Sequence, residues 1–271
     1  MSEISKEVAK QANPLAVVAQ YQRELGNSMP AAVRDDVPRW LMVAEMAVRK
    51  DPKLLAIVKA DQGASLMRAL LECARLGHEP GTDHFYLVPR GNTISGEEGY
   101  KGIVKRILNS GYYQRVVAQV VHEHDEFDFD PVNDTTPYHV KAEGERGRPV
   151  QAYAFAVMWD GTPSTVAVAT PERIAAAKAK SFGTENKSSP WQSPTGVMYR
   201  KTAIRELAAF VHTSAEPRGR VNADGEPTGP ADPATPWAMY RESEADSDIA
   251  DAEVIDITAE QIAAHEAEAQ A

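Results

Sequence analysis

The hydrophobic period of this chain changes at one place, and that change limits the folds open to it. Between Gly99 and Gly111 the apolar residues Ile103, Val104, Ile107 and Leu108 share one arc at about 100° per residue, while Lys101, Lys105 and Arg106 share the other. From Tyr112 the period drops to two. Val116, Ala118 and Val120 alternate with Arg115, Val117, Gln119 and Val121, and then Phe127 and Phe129 alternate with Glu126, Asp128 and Asp130. An amphipathic helix with a basic outer face, closed by a glycine that accepts a left-handed backbone at little cost, therefore feeds directly into strands.

The flanking segments extend both patterns. Val37 to Val48 reads as a helix through Trp40, Leu41, Ala44 and Val48; Asp51-Pro52 pairs a capping carboxylate with a proline at the first helical position; and Ala64 to Leu76 carries Leu66, Ala69, Leu70, Cys73 and Leu76 on one face before Gly77. Next comes a β-like run, His84 to Val88, closed by Pro89, with a hairpin return over Arg90 to Glu98. Downstream of the period change a strand over Gln151 to Trp159 turns through Asp160-Gly161 into Ser164 to Ala169, and Thr170-Pro171 opens a helix to about Lys180. A last helix spans Thr195 to about Val211, with Val197, Ala203, Ile204, Leu207 and Phe210 inward. The fold class predicted is α+β: N-terminal helices, then an antiparallel β-meander packed by helices. Residues 1–30, with helix-poor Gly26-Asn27-Ser28, read as a mobile arm, residues 31–214 as the folded core, and residues 215–271 as a flexible, disordered acidic tail.

Charge separates that tail from the body. The net charge is −10, yet residues 216–271 hold 14 acids against 3 bases, leaving 25 acids and 26 bases in residues 1–215. A near-neutral body with clustered cations suits a polyanion, and the tail, with Val254-Ile255-Asp256-Ile257, suits docking on a partner. One cysteine, Cys73, excludes an intrachain disulfide and sits in an apolar helical pattern. No stretch approaches the ~20 apolar residues of a membrane span, and the charged start Met-Ser-Glu-Ile-Ser-Lys-Glu points to the cytoplasm.

Cations recur on separate elements: Lys101, Lys105 and Arg106; Arg115; Lys178 and Lys180; Lys187; Arg200, Lys201 and Arg205. Tyr100, Tyr112, Tyr113, Trp191 and Tyr199 lie within a few residues of them, with Tyr100 and Trp191 the candidate base stackers or loop anchors. The rival cluster is His122-Glu123-His124-Asp125-Glu126-Phe127-Asp128-Phe129-Asp130, where histidines two apart on a strand would face one metal with acids close behind, as in a metal-dependent nuclease. A passive single-strand coating protein is the third reading. No phosphate-cradling Gly-x-x-x-x-Gly-Lys-Ser/Thr run and no Gly-x-Ser-x-Gly elbow occurs, so no cofactor and no covalent catalysis are expected.

The order of motifs is more specific than any one of them. Leu-Gly-His-Glu-Pro-Gly at 76–81, Tyr86-Leu87-Val88-Pro89, Gly99-Tyr100-Lys101-Gly102-Ile103, Val120 to Phe127, Pro190-Trp191 and Arg200-Lys201-Thr202-Ala203-Ile204-Arg205 together resemble the RecT-type phage recombinases over about residues 60–214. The resemblance implies ATP-independent annealing of single-stranded DNA through a duplex intermediate, by a homo-oligomeric ring or helical filament in the bacterial host cell. It also implies a 5′-to-3′ exonuclease and the host single-strand-binding protein as partners, and it adds Thr202 to the expected DNA contacts. Glu206 and Ala209 stand where the family usually carries cations.

Overall fold

The structure, a computed structural model, describes residues 18, 20–34, 36–181, 183–187, 189–193 and 195–229. The arm before residue 18 and the acidic-hydrophobic peptide at 254–257 lie outside the described residues. Two compact units divide the chain after Gly102. No helix among the described residues is long and apolar enough to cross a membrane.

The first unit is helical with one hairpin. Helix α1 spans Gln22–Ser28, α2 Ala31–Arg34, α3 Val37–Lys50, α4 Pro52–Ala60 and α5 Ala64–Arg75. Helix α1 occupies the stretch whose Gly-Asn-Ser composition argued against one. Tertiary packing overrides propensity there, because Leu25 is fully buried and a Cβ on Gly26 would sit 3.2 Å from Val37 Cγ2. Asp51 caps α4 as expected, its carboxylate accepting from Lys53 N at 2.8 Å. Leu25, Trp40, Ala44, Val48, Leu54, Val58, Leu66 and Leu70 form one core with Phe85. The Trp40 indole donates to His78 O at 2.6 Å, which fixes the Leu-Gly-His turn after α5.

Strands β1 (Phe85–Arg90) and β2 (Thr93–Glu98) form the antiparallel hairpin, register Phe85↔Glu98 to Arg90↔Thr93. β1 runs through Pro89 rather than stopping there. Pro89 faces Ile94, whose N–H donates to Ser65 Oγ at 2.9 Å, so that pair needs no donor from the proline.

Helix α6 (Tyr100–Asn109) leads into the second unit, where β3 (Tyr113–His122), β6 (Pro149–Met158) and β7 (Ala167–Ala169) make an antiparallel sheet in the order β3-β6-β7. Between β3 and β6 the chain leaves the sheet as a small hairpin, β4 (Glu126–Asp128) with β5 (Tyr138–Val140). The last strand is shorter than expected, because Pro163 makes only an isolated bridge with Val157 and pairing resumes at Ala167. Helix α7 (Pro171–Ala179) starts at Thr170, whose hydroxyl accepts from Arg173 N. After a 3-10 turn at Pro190–Gln192, α8 spans Val197–Leu207 and packs on the sheet through Val197, Ala203, Ile204 and Leu207. It ends a turn early, leaving Phe210, expected inward, 67% exposed.

Residues 212–229 differ most from their composition. Residues 215–229, the start of the expected flexible tail, form with 212–214 a strap on the end of α6. Ser214 N donates to Arg106 O at 2.8 Å, Arg218 N to Asn109 O at 2.9 Å and Val221 N to Gly111 O at 3.2 Å. These bonds satisfy carbonyls that a helix C-terminus leaves open. The strap then folds on itself, with Thr228 N donating to Arg220 O at 2.7 Å and Val221 bridging Pro227.

Candidate nucleic-acid interface

The cations singled out by the sequence divide between the two units. Lys101 belongs to the first, where its ammonium lies 2.9 Å from Asp83 Oδ2, and Tyr100 beside it is 8% exposed. Lys105 and Arg106 belong to the second, half-buried on the outer side of α6, whose Ile103, Val104, Ile107 and Leu108 are buried. The Arg106 guanidinium donates to Thr213 Oγ1 at 3.1 Å, which holds it against the strap.

On α8, Lys201 and Arg205 lie four residues apart, Arg205 exposed and Lys201 half-buried. Arg200 is also half-buried, and Thr202 turns its hydroxyl back to Met198 O at 2.8 Å. The chain leaving α8 reaches α6 within seven residues, from Leu207 to the Ser214–Arg106 bond. The strap thus joins the ends of the two cation-bearing helices inside one unit.

The remaining cations are more dispersed. Arg115 is exposed on β3 beside the register shift after Tyr113. Lys178, in the last turn of α7, lies 2.8 Å from Glu185, whose carboxyl is held below the usual range by that ammonium. Lys180 and Lys187 are exposed in the turns that follow. Trp191 is 9% exposed and meets Tyr199 edge-on at 6.3 Å, so its ring anchors the loop before α8.

Sequence reasoning named Tyr112 and Tyr113 but missed their partner His212 and the arginines Arg218 and Arg220, the last two lying in the stretch read as a flexible tail. Tyr112 and His212 stack at 4.1 Å and 15°, Arg220 lies 4.1 Å over the Trp159 ring, and the Trp159 indole donates to Gly111 O at 2.8 Å. Burial pushes the Tyr113 hydroxyl up in pKa, against the pull of the His212 N–H that donates to it. The signal available beforehand was the pair Arg218 and Arg220 inside an otherwise acidic segment.

The histidine-acid cluster builds structure around one carboxylate. β3 ends at His122, so His122 and His124 do not share a strand face. Asp125 has no exposed side-chain surface. Burial pushes its carboxyl up, but hydrogen bonds from Arg146, His122 N, Ala142 N and His139 outweigh that and hold it far below the usual carboxylate range. His139 also meets the Tyr153 hydroxyl at 3.2 Å, so the network pins β5 to β6. Among the described residues no group of three His, Cys, Asp or Glu is placed to hold a metal ion.

Two comparisons with known proteins agree. The RecT family model matches residues 46–236. The chain is 29% identical over 255 residues to Protein RecT of Escherichia coli (strain K12), an alignment covering 82% of this chain and 92% of that protein.

Proposed function

The chain belongs to the RecT family, and from that premise we propose that it anneals complementary single strands of DNA in recombination, as a homo-oligomer acting without nucleotide hydrolysis or covalent catalysis. The physical task is to neutralise two sugar-phosphate backbones while leaving the base edges free to pair. Lysine and arginine contacts to phosphate do this without reading sequence. Lys105, Arg106, Lys201 and Arg205 are the central phosphate ligands, with Arg115, Lys178, Lys180, Lys187, Arg200 and Thr202 extending the path within the second unit.

The observation that carries this reading is the strap: by bonding to α6 directly after α8 ends, it holds the cation-bearing ends of both helices in one unit. Protomers in a row would lengthen the path and bind cooperatively along a strand. An exonuclease that exposes single strands and a single-strand-binding protein that coats them are the partners this activity calls for, and residues 230–271 are their docking segment.

Mixing complementary oligonucleotides with the protein, with and without magnesium, tests the reading. Accelerated pairing without strand shortening is expected. Strand shortening would indicate a nuclease, and retarded pairing a coating protein; either overturns the proposal. Charge reversal at Lys105 and Lys201 together should abolish oligonucleotide retention at moderate salt while leaving the circular dichroism unchanged.

A further inference from the structure

A protein that holds single strands by their backbones also meets their bases, and the two aromatic residues best placed in the sequence to stack on them are buried. Tyr100 is 8% and Trp191 9% exposed, so neither offers a ring face. Phe210 does, at 67%, the highest exposure of any described phenylalanine, tyrosine or tryptophan. The other exposed rings sit in poorer surroundings for a polyanion. Tyr138 lies across from Asp128, with its hydroxyl on Glu126, and Tyr21 is in the first unit beside Arg23 and Glu24.

Phe210 is held by the turn that closes α8, its N–H donating to Leu207 O at 2.9 Å. Two residues on, about 7 Å along the chain from Phe210, His212 is exposed and stacks on Tyr112. Cations lie close to these rings in the chain: Arg205 is five residues before Phe210, Arg106 is bonded to Thr213 next to His212, and Arg218 is exposed on the strap. Of the nearby acids, Glu206 faces Arg173 at 3.7 Å and Glu216 is exposed on the strap.

We propose that Phe210 and the His212–Tyr112 stack form a base-stacking platform for single-stranded DNA, flanked by Arg205, Arg106 and Arg218 as phosphate ligands. The inference rests on the annealing reading and adds to it the site where bases, rather than phosphates, are held. Stacking on an aromatic face is tolerant of sequence, as an annealing protein requires, because every base has a π-face.

The test compares retention of a normal oligonucleotide with that of an abasic one of equal length and charge, by fluorescence anisotropy on the full chain. The wild type should prefer the normal strand. Phe210→Ala should weaken binding of the normal strand by roughly tenfold and leave the abasic strand unchanged. Phe210→Trp should keep the preference and show tryptophan quenching by the normal strand alone. Equal effects of Phe210→Ala on both strands, or no effect on either, overturn the platform. So does a change in sedimentation without DNA, which would make Phe210 a contact between copies. If the wild type retains neither strand, the annealing reading itself has failed; if it retains both equally, only the stacking is refuted.

Discussion

Gly111 is where the strap, α6 and β3 meet, and replacing it by alanine separates two costs that usually arrive together. Its φ is +83°, and a Cβ there would overlap the carbonyl oxygen of Gly219. The left-handed backbone alone costs a side chain about 1–2 kcal/mol. Relieving the overlap means lifting the strap, which puts at risk the bonds from Arg218 N to Asn109 O and Val221 N to Gly111 O. At about 1 kcal/mol net each, losing both brings the total to roughly 3–4 kcal/mol. Gly91 is the control. Its φ is +55° with nothing within 4 Å of an added Cβ, so Gly91→Ala should cost only the backbone share, about 1–2 kcal/mol. Urea titration followed by tryptophan fluorescence measures both losses, and brief trypsin digestion should cut after Arg218 or Arg220 faster in Gly111→Ala alone. Equal losses at the two glycines, with unchanged cleavage, would refute the claim that the strap is seated on Gly111.

Asp125→Asn should destabilise the protein by about 3 kcal/mol at neutral pH, the low end for a buried pair because Arg146 keeps 29% of its side chain exposed. The wild-type carboxylate is depressed, so its contribution is present above its ordinary value of 3.8 and declines as pH falls below it. Stability of Asp125→Asn should accordingly fall less between about pH 4 and pH 2, and an identical acid limb in both proteins would remove the network from the account. Thr170→Ala should cost about 1 kcal/mol by thermal melting, the worth of one helix cap, and no loss would mean the Arg173 N–H finds water equally well.

What was legible in the sequence was whatever rests on neighbours in the chain. The switch of period at Gly111, the caps at Asp51 and Thr170, and the apolar arc of α6 all appear where local patterns place them. The differences arise where a distant partner decides. Gly26 is helical because Val37 packs on it, and Pro89 stays in a strand because Ser65 serves the facing Ile94. Composition gave no sign of the bonding of residues 215–229 for a similar reason: a segment with few apolar residues to bury can still be fixed by bonding to a helix end. Tyr100 and Trp191 show the same limit at the candidate site, since proximity in sequence to lysine and arginine says nothing about which way a ring faces.

The detour of the chain through β4 and β5 also sets a schedule for synthesis. β3 is complete at His122, but its pairing partner is not finished until Met158, 36 residues later. At 5–20 residues per second the ribosome needs about 2–7 s to make that stretch. For that interval a ten-residue, valine-rich strand waits with both edges open, long enough to meet the same strand on a neighbouring nascent chain.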